Sequence, residues 1–152
     1  MSDAFSFTSV TPRLALPNLF SGQAQKEITV NEALARIDAL MHLHVLGVAN
    51  DPPSSPVEGN CWIVDSQPTG AWASHAGQIA FFQSGNWFFA QPVERMVAYD
   101  ASAAQQIIFD ASWQAATDVT LVTGGATQDA EARAAIAGIL DALRAAGILP
   151  AV

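Results

Sequence analysis

Between residues 59 and 123 the chain alternates short β-type runs with turn signals, and this rhythm restricts the fold more than any other feature. The runs are Cys61–Val64, Gln78–Phe82, Trp87–Phe89, Met96–Tyr99, Ile107–Phe109 and Val119–Val122. Gly59-Asn60, Pro68-Thr69-Gly70, Ser84-Gly85-Asn86 and Asp110-Ala111-Ser112 lie between them. Phe81–Phe89 reads as a hairpin whose Ser-Gly-Asn turn supplies positive φ. Ile107–Trp113 repeats the form: apolar run, short polar turn, Trp. The centre is therefore expected to be a meander of short antiparallel strands.

A helix is expected on either side. Over residues 22–41, Ile28, Leu34, Ile37 and Leu40 recur at near-helical spacing, with Val30 and Met41 beside them. Asn31 is a candidate internal cap. A second helix is expected over Asp129–Ala146, capped by Thr127 or Asp129, closed by Gly147 and stopped by Pro150. Its apolar stripe is Ile136, Ile139, Leu140 and Leu143. The expected class is α+β: N-terminal helix, central antiparallel meander, C-terminal helix. The expected divisions are an extended arm (1–21), a helix-plus-meander domain (22–123) and an oligomerising C-terminal helix (124–152). In the arm, Phe5 and Phe7 alternate with Ser6 and Thr8, and Leu14 and Leu16 flank Ala15. The pattern suggests that the arm lies against something, such as a neighbouring subunit.

Composition bears on partners. Charged residues are 13% of the chain, against about 25% in average proteins, while apolar residues are 51%. Such a chain exposes much apolar surface unless it meets another subunit, a first sign of self-association. The formal charge is −8, and the six cations are scattered. Nucleic-acid binding needs clustered cations, so it is not expected, nor is attraction to an anionic membrane. No apolar run approaches the ~20 residues of a membrane span, and no secretory leader is visible, so a cytoplasmic origin is expected. The single cysteine, Cys61, allows no intrachain disulfide and is expected to be a small buried hydrophobe.

The segment Gly22-Gln23-Ala24-Gln25-Lys26-Glu27-Ile28-Thr29-Val30-Asn31-Glu32-Ala33-Leu34 resembles the opening of an uncharacterised domain family of prophage and gene-transfer-agent tail-fibre and structural proteins. The resemblance continues through Pro52-Pro53, Glu58-Gly59, Trp62-Ile63-Val64, Thr69-Gly70-Ala71-Trp72, His75–Ala80, Gly85-Asn86-Trp87, Ile108-Phe109-Asp110 and Trp113. It covers roughly residues 12–114. Separately, Ile139–Leu149 looks like short C-terminal segments of phage fibre proteins, which often trimerise. The resemblance implies a structural role on a phage-like particle, made in the bacterial cytoplasm and assembled with baseplate or other particle proteins. It supplies no catalytic residues and implies no cofactor.

Other constellations carry chemistry only weakly. His42 and His44 form His-x-His on an expected strand, where period two would place both rings on one face. Around a threefold axis they would offer six imidazoles to one metal ion; the plainer reading is two strand histidines. Ser74-His75 is a poor nucleophile–base pair, because adjacent residues rarely align for it. Asp65, Asp100, Asp110 and Asp118 would be the carboxylates of a glycosidase, but each adjoins a turn where Asp caps backbone groups. The aromatics offer more. Trp72, Trp87 and Trp113 sit beside turns, where flat rings would stack on sugars. Small neighbours make Trp72 the best candidate for exposure. The leading expectation is a homotrimeric, non-enzymatic fibre component that contacts the host surface. The alternative is a carbohydrate-binding module for a cell-surface glycan, and a polysaccharide-degrading enzyme comes third.

Overall fold

The computed structural model describes residues 9–20, 22, 26–121, 124–125 and 129–150. Phe5, Phe7, Val122 and Thr127 lie outside them. The fold is α+β, and the chain divides into two compact units between Pro92 and Val93. The first holds helix α1 (Lys26–Leu40) and strands β1 (His44–Val45), β2 (Val48–Ala49), β3 (Cys61–Val64), β4 (Ile79–Gln83) and β5 (Asn86–Ala90). The second holds β6 (Val97–Asp100), β7 (Gln105–Asp110), β8 (Ser112–Ala115) and helix α2 (Ala130–Ala145).

In the first unit the strands are ordered β2-β3-β4-β5. The β4–β5 hairpin turns at Ser84 and Gly85, both at positive φ (52° and 73°), as the sequence predicts. Glu58 fixes that turn by accepting from both backbone amides, at 2.6 and 2.9 Å. Within the expected meander β3, β4 and β5 pair antiparallel, whereas β2, which precedes it, pairs with β3 in parallel, so the sheet is mixed. The long connection of residues 50–60 carries the chain back to start β3 in the same direction. Cross-strand register alternates the side chains between two faces. Cys61, Ile63, Ile79, Phe81, Gln83 and Phe88 share one; Val64, Ala80, Trp87 and Phe89 share the other. Both faces are covered, so the strands read as apolar runs rather than as an apolar/polar alternation.

Helix α1 covers the first face, but not with the stripe expected from its spacing. Its buried residues are Ala35, Asp38 and Ala39. Ile28 and Ile37 are 71% and 44% exposed, and Met41 is half exposed. The small alanines let the helix approach the sheet closely, and Cys61 Sγ lies 3.9 Å from the Ala39 carbonyl oxygen. The roll of the helix is set by polar contacts with the arm. Asp38, 1% exposed, accepts from Thr11 Oγ1 (2.7 Å), Arg13 N (3.0 Å) and Leu14 N (2.6 Å). The Arg13 guanidinium donates in turn to the carbonyls of Asp38, Ala39 and His42 at 2.7–2.9 Å. The last turn of α1 has no basic residue of its own. Arg13 therefore supplies from the arm the cation and donors that a helix C-terminus needs.

Residues 9–18 of the arm turn back on themselves. Val10 bridges Pro17, Thr11 N donates to Leu16 O, and Ala15 adopts φ 52° at the bend. Asn31 is no cap: it sits inside α1 and clamps Leu19, accepting from its amide and donating to its carbonyl. Gly59 completes the joint. A Cβ there would meet Arg13 Cγ at 3.0 Å and Pro12 Cγ at 3.1 Å, and its φ of 83° also favours glycine.

In the second unit β6, β7 and β8 form an antiparallel meander. Val119–Leu121 forms no strand, and Ser112–Ala115 pairs where only a Trp after a turn was expected. Asp129 caps α2, accepting from Ala132 N at 2.8 Å, and Gly147 ends it at φ 67°. Gly147 O accepts from Gln106 N, and Arg144 binds Asp118 at 2.6 Å, so α2 is fastened to its own unit. The Arg144 hydrogen bond draws the Asp118 carboxyl below its ordinary value.

Two outcomes follow from the first unit. Asp38→Ala leaves a hydroxyl and two amides without an acceptor, and is expected to cost about 3–5 kcal/mol in chemical denaturation. A loss below about 1 kcal/mol would contradict the role given to Asp38. Burial pushes the Cys61 thiol up from 9.0 to about 11, with Arg13 lowering it and Asp38 raising it to a lesser extent. The folded protein should therefore resist a disulfide reagent at about pH 8, where the denatured chain reacts readily. The sign follows from the raised value. The stability from keeping the thiol neutral is whole below about 9 and lost as pH rises through about 11.

Candidate functional site

Of the sequence-derived candidates, Trp72 and Trp87 lie together in the first unit, while Trp113 belongs to the second. Trp72 is the sharpest departure: it is 0% exposed, the largest of the fully buried side chains among the described residues. Its neighbours are small because a 3-10 turn at Gly70–Trp72 folds over the second face of the sheet and drives the indole into it. Val64, Trp72 and Ala80 form the centre, with Ala49, Trp62, Trp87 and Phe89 packed around them. Trp87 meets Trp72 edge-on at 5.0 Å, and Phe82 stands 5.1 Å from Trp87. Trp113, in the second unit, packs edge-on against Phe109 at 5.4 Å. Trp72 thus offers no flat face to a sugar, while Trp87 and Trp113 are half-buried.

His42 is not on a strand. Its φ of 52° places it in the turn that ends α1, so the period-two argument pairing it with His44 fails. Among the described residues, no cluster of three or more His, Cys, Asp or Glu has metal-binding geometry. Ser74 and His75 make no pair; His75 Nδ1 meets Gln78 Oε1 at 2.9 Å, and its ring stacks on Phe89 at 3.6 Å. Asp65 accepts from Ser66 N, and Asp100 from Ser102 N and Oγ, so both serve turns. On α2, Leu140 is buried, Leu143 half-buried, and Ile136 and Ile139 are 51% and 58% exposed.

What the structure does bring together is polar. Between α1, the arm and the β4–β5 turn lies a cavity of about 250 Å³, lined by Ser9, Asn18, Ile28, Asn31, Glu32, Ala35, Gln83, Ser84 and Phe88. Gln83 is 7% exposed and takes a core position on the α1-facing side of β4. Asn18 donates through Nδ2 to Ser9 Oγ at 3.0 Å, while its Oδ1 is buried without a partner among the described residues. Arg36 binds Glu32 through Oε1 at 2.8 Å and donates to Phe89 O, which neutralises the carboxylate beside the cavity. Phe88 is braced by Phe81, nearly parallel at 5.6 Å. Asn31 looked like a cap from its sequence, which hid this set. A Gln inside an apolar hairpin strand was the one available signal.

Truncating Trp72 tests its assignment to the core. Trp72→Ala is expected to cost about 3–5 kcal/mol of stability, and an unchanged melting temperature would contradict its burial.

A search of curated proteins finds no match. Residues 30–114, from within α1 into β8, match the model of a family described as "Protein of unknown function (DUF2793)". The match takes in more than half of the chain, which therefore belongs to the DUF2793 family.

Proposed function

We propose that the chain is a self-associating structural subunit, a fibre or fibre-adaptor component of a phage-like particle, and that it works as a homotrimer. One observation carries the self-association: several large apolar residues on α1 and just after it face outward, although Leu34 and Leu40 are half-buried. Ile28, Val30, Ile37 and Met41 are 38–71% exposed, whereas the helix buries two alanines and an aspartate. Ile37, Leu40, Met41 and Arg36 line an apolar groove of about 380 Å³ on the same helix. Ile136 and Ile139 on α2 are exposed in the same way. An amphipathic helix normally buries its larger apolar residues. Exposed stripes on a chain with so few charges are the mark of surface that another subunit covers.

The particle context rests on the sequence resemblance to tail-fibre and structural proteins of prophages and gene transfer agents. In this reading the chain is made in the bacterial cytoplasm, binds other particle or baseplate proteins and presents a face to the host surface. No described helix is long and apolar enough to cross a membrane.

Light scattering coupled to gel filtration of the full chain tests the reading. A mass near 48 kDa, three times 16.0 kDa, is expected. Ile37→Glu or Ile139→Glu, both outward in the single chain, should lower the mass without lowering helix content. A wild-type mass of 16.0 kDa would overturn the proposal.

A further inference from the structure

We propose that the open face of the second unit's β6-β7-β8 sheet receives the first half of α2 from another copy of this chain. The inference rests on the reading of self-association and deepens it, because it names the surface that meets the outward residues of α2.

Its ground is an internal repeat. Pro56-Val57-Glu58 and Pro92-Val93-Glu94 each lead into two antiparallel strands, a tight turn and a Trp. The backbone matches bond for bond. Gly59 N donates to Phe82 O, Phe82 N to Asn60 O and Asn60 N to Val57 O. Arg95 N likewise donates to Phe109 O, Phe109 N to Met96 O and Met96 N to Val93 O, all six at 2.9–3.1 Å. Gly59 and Arg95 both take positive φ, at 83° and 66°, as the first residue of a G1 bulge does. Glu58 accepts from the amides of the first turn, and Glu94 accepts from Ala111 N in the second. Phe82 meets Trp87 across the first hairpin as Phe109 meets Trp113 across the second, at 5.1 and 5.4 Å.

The repeat shows what such a sheet face takes. Cys61, Ile63, Phe81 and Phe88 lie on the face that α1 covers. Aligning the two bulges puts Val97, Tyr99, Ile108 and Gln114 at the same four positions. Cys61, Ile63 and Phe81 are 1–2% exposed, whereas their counterparts Val97 and Tyr99 are exposed and Ile108 is half-buried. The second copy of the module thus presents the same face without a helix over it. The same unit also holds a helix without a face. From Ala130 to Ile139, α2 is exposed at every residue except Arg133 and Ala137, which are half-buried. Leu140, Arg144 and Gly147 fasten only its end. A helix of this length is marginal in water without packing, so Ile136 and Ile139 call for cover.

The two surfaces suit each other. Val97 pairs with Ile108 in register and Tyr99 with Gln106, and neither these four nor Gln114 carries a charge to oppose an apolar helix. A helix given to one neighbour and a face offered to another make a heterologous contact, the kind that closes a cyclic trimer.

Cysteine cross-linking of the full chain tests the inference. Val97→Cys and Ile136→Cys are made as separate variants, because both positions are exposed and a surface exchange there leaves folding intact. The two are refolded together in equal amounts and oxidised. The mixture should give a disulfide-linked species of twice 16.0 kDa on a non-reducing gel, and each variant alone should give little. Tyr99→Cys in place of Val97→Cys supplies a second thiol geometry. A dominant homodimer of Ile136→Cys would overturn the inference, since the α2 helices would then pack on one another. No cross-link in either mixture, with the wild type at the mass of three chains, would also overturn it and leave self-association standing. A wild-type mass of 16.0 kDa would remove both.

Discussion

The first unit depends on one buried carboxylate. Asp38 lies against the sheet yet makes its bonds to the arm, so it fixes at once how α1 is rolled and where residues 11–14 run. Arg13 closes the arrangement from the other side by satisfying carbonyls at the end of α1. The two residues do not neutralise each other through their side chains. Each instead satisfies backbone that would otherwise be stranded, which is the principal demand on buried polar groups. With Asp38 pointing inward, Ala35 and Ala39 must share its side of the helix, and Ile37 and Met41 are turned out. The exposed stripe is thus a consequence of the polar joint, and the reading of the chain as a self-associating subunit grows from it.

The sheet shows the complementary economy. It is short and buried on both faces. One face receives the alanine side of α1, which demands little volume. The other receives Trp72, delivered by a 3-10 turn, with Trp62, Trp87 and Phe89 around it. A small domain can close its core in this way, because one indole fills the space of several methyl groups. The indole Nε1 atoms of Trp62 and Trp72 are buried without partners among the described residues, so this core is held by shape rather than by hydrogen bonds.

Much of the fold was legible. The turn residues of Ser84-Gly85, the strands flanking them, the Asp129 cap and the Gly147 stop follow from local chemistry, and local chemistry decides them. Other features were hidden because they are decided at a distance. Apolar spacing located α1 but gave the wrong face, since no periodicity reveals that Asp38 will be buried by an arm 25 residues away. Small neighbours made Trp72 look exposed, when they are what lets its turn fold flat onto the sheet. The parallel β2–β3 pair depends on the path of the 50–60 loop, not on the strands. The polar cavity draws on three separate segments, and only Gln83 carried a sign of it.

On the proposed function, the outward stripe of α1 is covered when chains associate. Oxidation footprinting of Met41, read by mass spectrometry over a dilution series of the full chain, tests it most directly. Met41 is half exposed in the single chain, whereas Met96, in the other unit, is less so and provides an internal standard. Met41 should become protected relative to Met96 as concentration rises. Oxidation of Met41 at one unchanging rate across the series would contradict it.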